Sequence, residues 1–138
     1  MADDAILVLN AGSSSIKLSL YQVTGEALIL SWHGEMEGVG LAPHFHAKGP
    51  NGQLIADIRL DDQLSDPMAW VLDWIDAHLD DARLMACGHR VVHGGENCDC
   101  PLVVTPALEA RLKQLVPLAP LHLPHNLAGI TAVRRQRP

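Results

Sequence analysis

Residues 9–21, LNAGSSSIKLSLY, decide how the rest of the chain reads. Immediately before and into them, AILVL (Ala5 to Leu9) is a short apolar run containing β-branched Ile6 and Val8. That is the pattern of a strand covered on both faces. Beyond the polar knot, SIKLSLY alternates: Ile16, Leu18 and Leu20 fall on one side, and Ser15, Lys17, Ser19 and Tyr21 on the other. A turn at Ala11 to Ser14 is therefore predicted, with a second strand doubling back on the first.

A glycine and serine turn followed by lysine suggests phosphate binding. The Walker A pattern is excluded, because it needs two glycines at fixed spacing and a Lys-Ser or Lys-Thr that opens a helix. Here Lys17 sits in an alternating strand. A hairpin can still do this chemistry. Gly12 allows close approach of an anion, the N–H groups and hydroxyls of Ser13 to Ser15 can donate to phosphate oxygens, and Lys17 shares a face with Ser15. Asn10 could position a water or ligand of Mg²⁺, which prefers oxygen donors. The competing reading is a surface hairpin with a polar tip and one solvated lysine.

The 138 residues fit one domain that buries roughly 70% of its unfolded surface. A hydrophobic fraction of 48% against 19% charged residues fits a globular chain. The net charge of -6 argues against a nucleic-acid surface, which runs on clustered Lys and Arg. Acidic side chains dominate from Asp57 to Asp81, while Arg134, Arg135 and Arg137 form a basic tail. MADD carries acids where a secretory signal needs positive charge, and no run approaches the ~18 apolar residues of a membrane span. Three cysteines, two of them in CDC, do not form a disulfide framework, so a cytoplasmic location without a membrane partner is expected.

Further along, ALILSW (Ala27 to Trp32) reads as a third strand. HFHAK and LIADIRL flank an Asn51-Gly52 hairpin signal. Ser65 or Asp66 can cap a helix with Pro67 in its first turn and a stripe of Met68, Val71, Leu72, Ile75 and Leu79. MACGHRVVH (Met85 to His93) returns to strand. Thr105-Pro106 starts another helix carrying Leu108, Leu112, Leu115 and Val116, and Pro124 starts a third. Antiparallel hairpins followed by helix, strand and helix predict an α/β layered domain with a mixed sheet.

The second unusual passage is GHRVVHGGE (Gly88 to Glu96). Alternation puts Gly88, Arg90 and Val92 on one face and His89, Val91 and His93 on the other. A guanidinium can clamp a carboxylate through two parallel hydrogen bonds. With Val92 as a small apolar wall, the pair describes a site for a short fatty acid. A structural ion pair between Arg90 and an aspartate is the alternative.

Together, LVLNAGSSSIKLSLY and GHRVVHGGE resemble, in order and spacing, two signatures of the acetate and propionate kinases. LAPLHLPHNLAGI (Leu118 to Ile130) is similar to a third block, with leucine at 123 where the family carries asparagine. The resemblance implies the sugar kinase, Hsc70 and actin superfamily fold, two ribonuclease H-like domains closing over a nucleotide. It also implies phosphorylation of acetate to acetyl phosphate with ATP and Mg²⁺. By the same resemblance Asn10 lies by the metal, and Gly12, Ser13, Ser15 and Lys17 by the nucleotide phosphates. Arg90 holds the substrate carboxylate, Val92 and Leu121 line the pocket for its methyl group, and His122 approaches the transferring phosphoryl.

The family's chains are roughly three times as long, so residues 1–138 are expected to be a truncated N-terminal ribonuclease H-like domain. The nucleotide-binding C-terminal domain is then absent, and the chain by itself is inactive. Homodimerisation belongs to the full-length family members. Two other readings stand beside this one. A propionate or butyrate kinase differs by one or two methylenes in the substrate, each worth only ~1–3 kcal/mol of discrimination. A non-catalytic, metal-associated interaction module would use Cys98, Cys100 and His93, with Cys87, His89, His44 and His46 in reach, at a spacing poor for zinc.

Overall fold

Strand alternation and burial agree from the first residues onward in a computed structural model, which describes residues 4–12, 14–39, 41–61, 64, 66–79, 82–90, 103–118 and 123–136. Strands β1 (Asp4–Ala11), β2 (Ile16–Thr24), β3 (Ala27–Glu37), β4 (His44–Lys48) and β5 (Leu54–Arg59) run as an antiparallel meander. Helix α1 (Pro67–Ala77) then leads to β6 (Arg83–His89), which adds parallel to β1 at the end of the sheet. The sheet order is β5-β4-β3-β2-β1-β6. Helices α2 (Pro106–Gln114) and α3 (Leu123–Gln136) follow.

Local chemistry explains the boundaries. The Asp66 carboxylate accepts from the Ala69 N–H at 3.0 Å and Pro67 occupies the first turn, so α1 starts at its predicted cap. Thr105 caps α2 in the same way through the Leu108 N–H at 3.1 Å. The hairpin between β4 and β5 turns at Gly52, whose φ of +81° is open to glycine at little cost. Leu79 lies beyond the end of α1. It still packs against the core, and Trp70 and Trp74 join the stripe.

Register sorts the two faces of the sheet. Ala11, Ile16, Met36, Phe45 and Ile58 stand side by side across β1 to β5, as do Leu9, Leu18, Gly34, Ala47 and Ala56. Leu7, Met36, Phe45 and Ala47 are completely buried there, and each large side chain so covered contributes about 1.5–3 kcal/mol. Helix α1 lays Trp74 against Phe45 and Trp32, with ring centroids 4.7 and 5.2 Å away, and Trp70 against Phe45 at 5.2 Å. Gly34 makes room for this cluster. A Cβ there would lie 3.0 Å from the His46 carbonyl and 3.4 Å from the Phe45 ring. Helix α3 rests on β1, with Gly129 facing Leu9 and Ala11.

Two expectations change. The apolar run of β1 predicted cover on both faces, but Val8 is 42% exposed while Ala5, Leu7 and Leu9 are buried. The described parts of α1 and α3 both cover the Ala5, Leu7 and Leu9 side. The basic tail is not simply solvated either. Arg134 forms an ion pair with the buried Glu109 of α2, whose carboxylate also accepts from Thr131 Oγ1 at 3.0 Å. This clamp joins α2 to α3 around Leu112, Leu123, Leu127 and Ile130.

Candidate functional site

One residue along each strand from the apolar row runs a polar one. Asn10 is directly opposite Lys17, Lys17 opposite Glu35, Glu35 opposite His46, and His46 opposite Asp57. On the other side of β1, the Arg90 N–H donates to the Leu9 carbonyl at 3.1 Å, which carries the β6 register one residue further and sets Arg90 beside Asn10. Arg90 and Lys17 therefore flank Asn10 on the face away from α1 and α3. With strands about 4.8 Å apart, their backbones are about 10 Å from one another. Both cations are exposed, and among the described residues neither forms an ion pair. A structural pairing of Arg90 with an aspartate is thus not found there.

The turn between β1 and β2 is tied down from three directions. The Gly12 N–H donates to the Ser15 carbonyl at 2.8 Å and closes it. The Val39 N–H donates to the Ser14 carbonyl at 3.0 Å. From α3, the buried Asn126 donates through Nδ2 to the Ala11 carbonyl at 2.7 Å. Gly12 does not adopt the left-handed conformation found at Gly25, Gly38 and Gly52. A Cβ at Gly12 would meet nothing of the described protein nearer than 3.8 Å, so its value lies in leaving open space rather than in backbone geometry.

Asn126 escaped the sequence reading. Its only signal was membership of the third block, LPHNLAGI. Ser13, Val92, Leu121 and His122 lie outside the described residues. Among those described, Asn10, Gly12, Ser15, Lys17 and Arg90 come together at the end of β1. A shallow recess lined by Val103, Thr105, Ala107, Leu108 and Arg111 contains none of them.

Of the described members of the cysteine-based metal reading, Cys87 and His89 are buried enough to shift their titration, while His44 and His46 stand on β4. Burial pushes the Cys87 thiol up to about 12, so it stands as a neutral thiol at neutral pH. Burial also holds the His89 imidazole below its ordinary value. Cys98, Cys100 and His93 lie outside the described residues. Among those described, no helix is long and apolar enough to cross a membrane.

The Acetokinase family model matches residues 5–138. Acetate kinase of Rhodopseudomonas palustris (strain TIE-1) is 42% identical over 139 residues, covering 98% of this chain and 35% of that protein. Among solved structures, Porphyromonas gingivalis acetate kinase superposes with a TM-score of 0.80 at 30% identity, over 98% of this chain and 35% of that one. A propionate kinase from Francisella tularensis gives 0.79 at 28% identity, over 99% and 34%. The chain spans about a third of the length of these relatives. The expected α/β fold with its mixed sheet is borne out.

Proposed function

Because the chain belongs to the acetokinase family, we propose that it forms one part of an ATP-dependent acetate kinase, the single ribonuclease H-like domain that carries the carboxylate and phosphate anchors. The observation that supports this reading is the row Arg90, Asn10, Lys17 at the mouth of a braced, glycine-opened turn. Two cations on one sheet face, neither in an ion pair among the described residues, suit a substrate with two anionic ends. Arg90 clamps the acetate carboxylate through two N–H donors. That carboxylate is ionised at neutral pH and requires no strong base. One of its oxygens attacks the γ-phosphorus of ATP, the bond to the β-bridging oxygen breaks, and ADP leaves with that electron pair.

Lys17, the turn amides and Ser15 hold the phosphate oxygens as charge spreads over them. Asn10 offers a neutral oxygen at the end of β1, which fits a Mg²⁺ ion that keeps most of its waters. When bound, Mg²⁺ neutralises charge on the phosphates. Ser13 joins the phosphate group, His122 approaches the transferring phosphoryl, and Val92 and Leu121 line the methyl pocket. The remaining catalytic groups and the adenosine pocket belong to a second lobe. The whole enzyme works as a cytoplasmic homodimer, with neither nucleic acid nor membrane as partner. Propionate is the alternative substrate, favoured by the structural likeness to the Francisella tularensis propionate kinase.

Amide chemical-shift mapping of the chain tests the two anchors separately. Tripolyphosphate is expected to move the amides of Gly12, Ser14, Ser15 and Lys17, and acetate those of Arg90 and its neighbours. Lys17→Ala abolishes the first response and leaves the second. Responses scattered over other surfaces would end this reading. A hydroxamate assay with acetate and ATP checks the companion expectation, since robust acetyl phosphate formation by these 138 residues would show that no second lobe is required.

A further inference from the structure

The polar row continues past Lys17 into a cluster that phosphoryl transfer does not use. Glu35 and Glu37, two apart on β3, project from the same face, and His46 of β4 stands directly opposite Glu35. One donor atom from each lies within 4.8 Å of the other two. The three donors come from rigid neighbouring strands, so register rather than loop conformation brings them together.

The spacing is one that a metal ion can bridge. His46 Nε2 and Glu37 Oε1 are 3.4 Å apart, longer than the usual 2.7–3.2 Å for an N–H donating to oxygen. Two ligands on a tetrahedral Zn²⁺, each about 2.1 Å from the ion, are separated by about 3.4 Å. The donor set is also mixed, one imidazole with two carboxylates, which suits zinc better than the all-oxygen shells of Mg²⁺ or Ca²⁺. The neighbouring His44 is already engaged by the Asp57 carboxylate, which leaves three protein ligands and a fourth position for water.

We infer that Glu35, Glu37 and His46 form a binding site for a borderline-soft divalent transition ion such as Zn²⁺. The site does not depend on the kinase reading, because none of its three residues belongs to the proposed acetate or phosphate anchors.

Competition against a chromogenic chelator tests it on the purified 138-residue chain, with Zn²⁺ as the probe and Mg²⁺ as comparison. The expected result is about one equivalent of Zn²⁺ bound, and an affinity reduced at least about tenfold by His46→Ala and by Glu37→Gln. The paired variant Cys98→Ser/Cys100→Ser should bind as the parent does. Far-UV circular dichroism confirms that the half-exposed positions can be changed without unfolding. Should His46→Ala misfold, Glu35→Gln provides a second variant with almost the same shape. Undiminished affinity in the folded variants, loss of binding in the cysteine variant, or no stoichiometric Zn²⁺ in the parent would overturn the assignment.

Discussion

Replacing Asn126 by aspartate keeps the side-chain shape and reverses its chemistry at a buried hydrogen bond that joins α3 to the end of β1. The amide donates to the Ala11 carbonyl at 2.7 Å and the residue is 4% exposed. A charged aspartate faces that carbonyl with an acceptor. Losing the donor costs about 1–3 kcal/mol, and burying the charge raises the native pKa above the unfolded value of about 3.9. The folded state then binds the proton more tightly than the unfolded one. The added instability is therefore small below about pH 3.9, where the protonated acid can donate to Ala11, and it grows as pH rises towards the native pKa. The growth is at most about 1.4 kcal/mol per pH unit, so by neutral pH it reaches up to about 4 kcal/mol. Urea unfolding of parent and Asn126→Asp chains, followed by the fluorescence of Trp32 and Trp74 in the core, measures the difference from about pH 4 to pH 7. A pH-independent difference would refute the account. So would an Asn126→Leu variant that costs as much as the aspartate at neutral pH, since leucine carries no charge.

Trp74→Ala removes the ring that Phe45 and Trp32 grip. It is expected to cost about 3–5 kcal/mol, seen as a lower urea midpoint at unchanged slope. Arg134→Ala leaves the Glu109 carboxylate buried, with the Thr131 hydroxyl still donating to it. The loss should be about 2–3 kcal/mol, short of the full cost of breaking a buried pair because Arg134 is half exposed, and thermal unfolding reads it. Burial depresses the His89 pKa, so its contribution to stability is present above about pH 6.5 and lost as pH falls below that towards the folded value. His89→Gln should flatten this part of the stability profile. The Cys87 thiol, raised to about 12, should react far more slowly with a maleimide in the folded chain than in urea, as mass spectrometry of the labelled peptide will show.

What the sequence by itself determined is local in range. Alternation of Ile16, Leu18 and Leu20 with Lys17 settled which way Lys17 points, and the Asp66-Pro67 and Thr105-Pro106 pairs marked two helix starts. Each signal resides in a few adjacent residues, because a strand has period two and a cap spans one turn. Even the family was legible, through motifs that are contiguous in the chain. Only the tertiary structure decided which strands are neighbours. Nothing in GHRVVHGGE says that β6 runs parallel beside β1, the placement that brings Arg90 to Asn10. Nothing near HFH says that His46 will face Glu35. Nor does LPHNLAGI reveal that Asn126 reaches back 115 residues to Ala11. Such pairings are selected by the burial of a shared apolar face, to which residues far apart in sequence contribute together. The exposure of Val8 has the same origin, since an apolar run records that a strand prefers cover, whereas the position of the helices determines which face receives it.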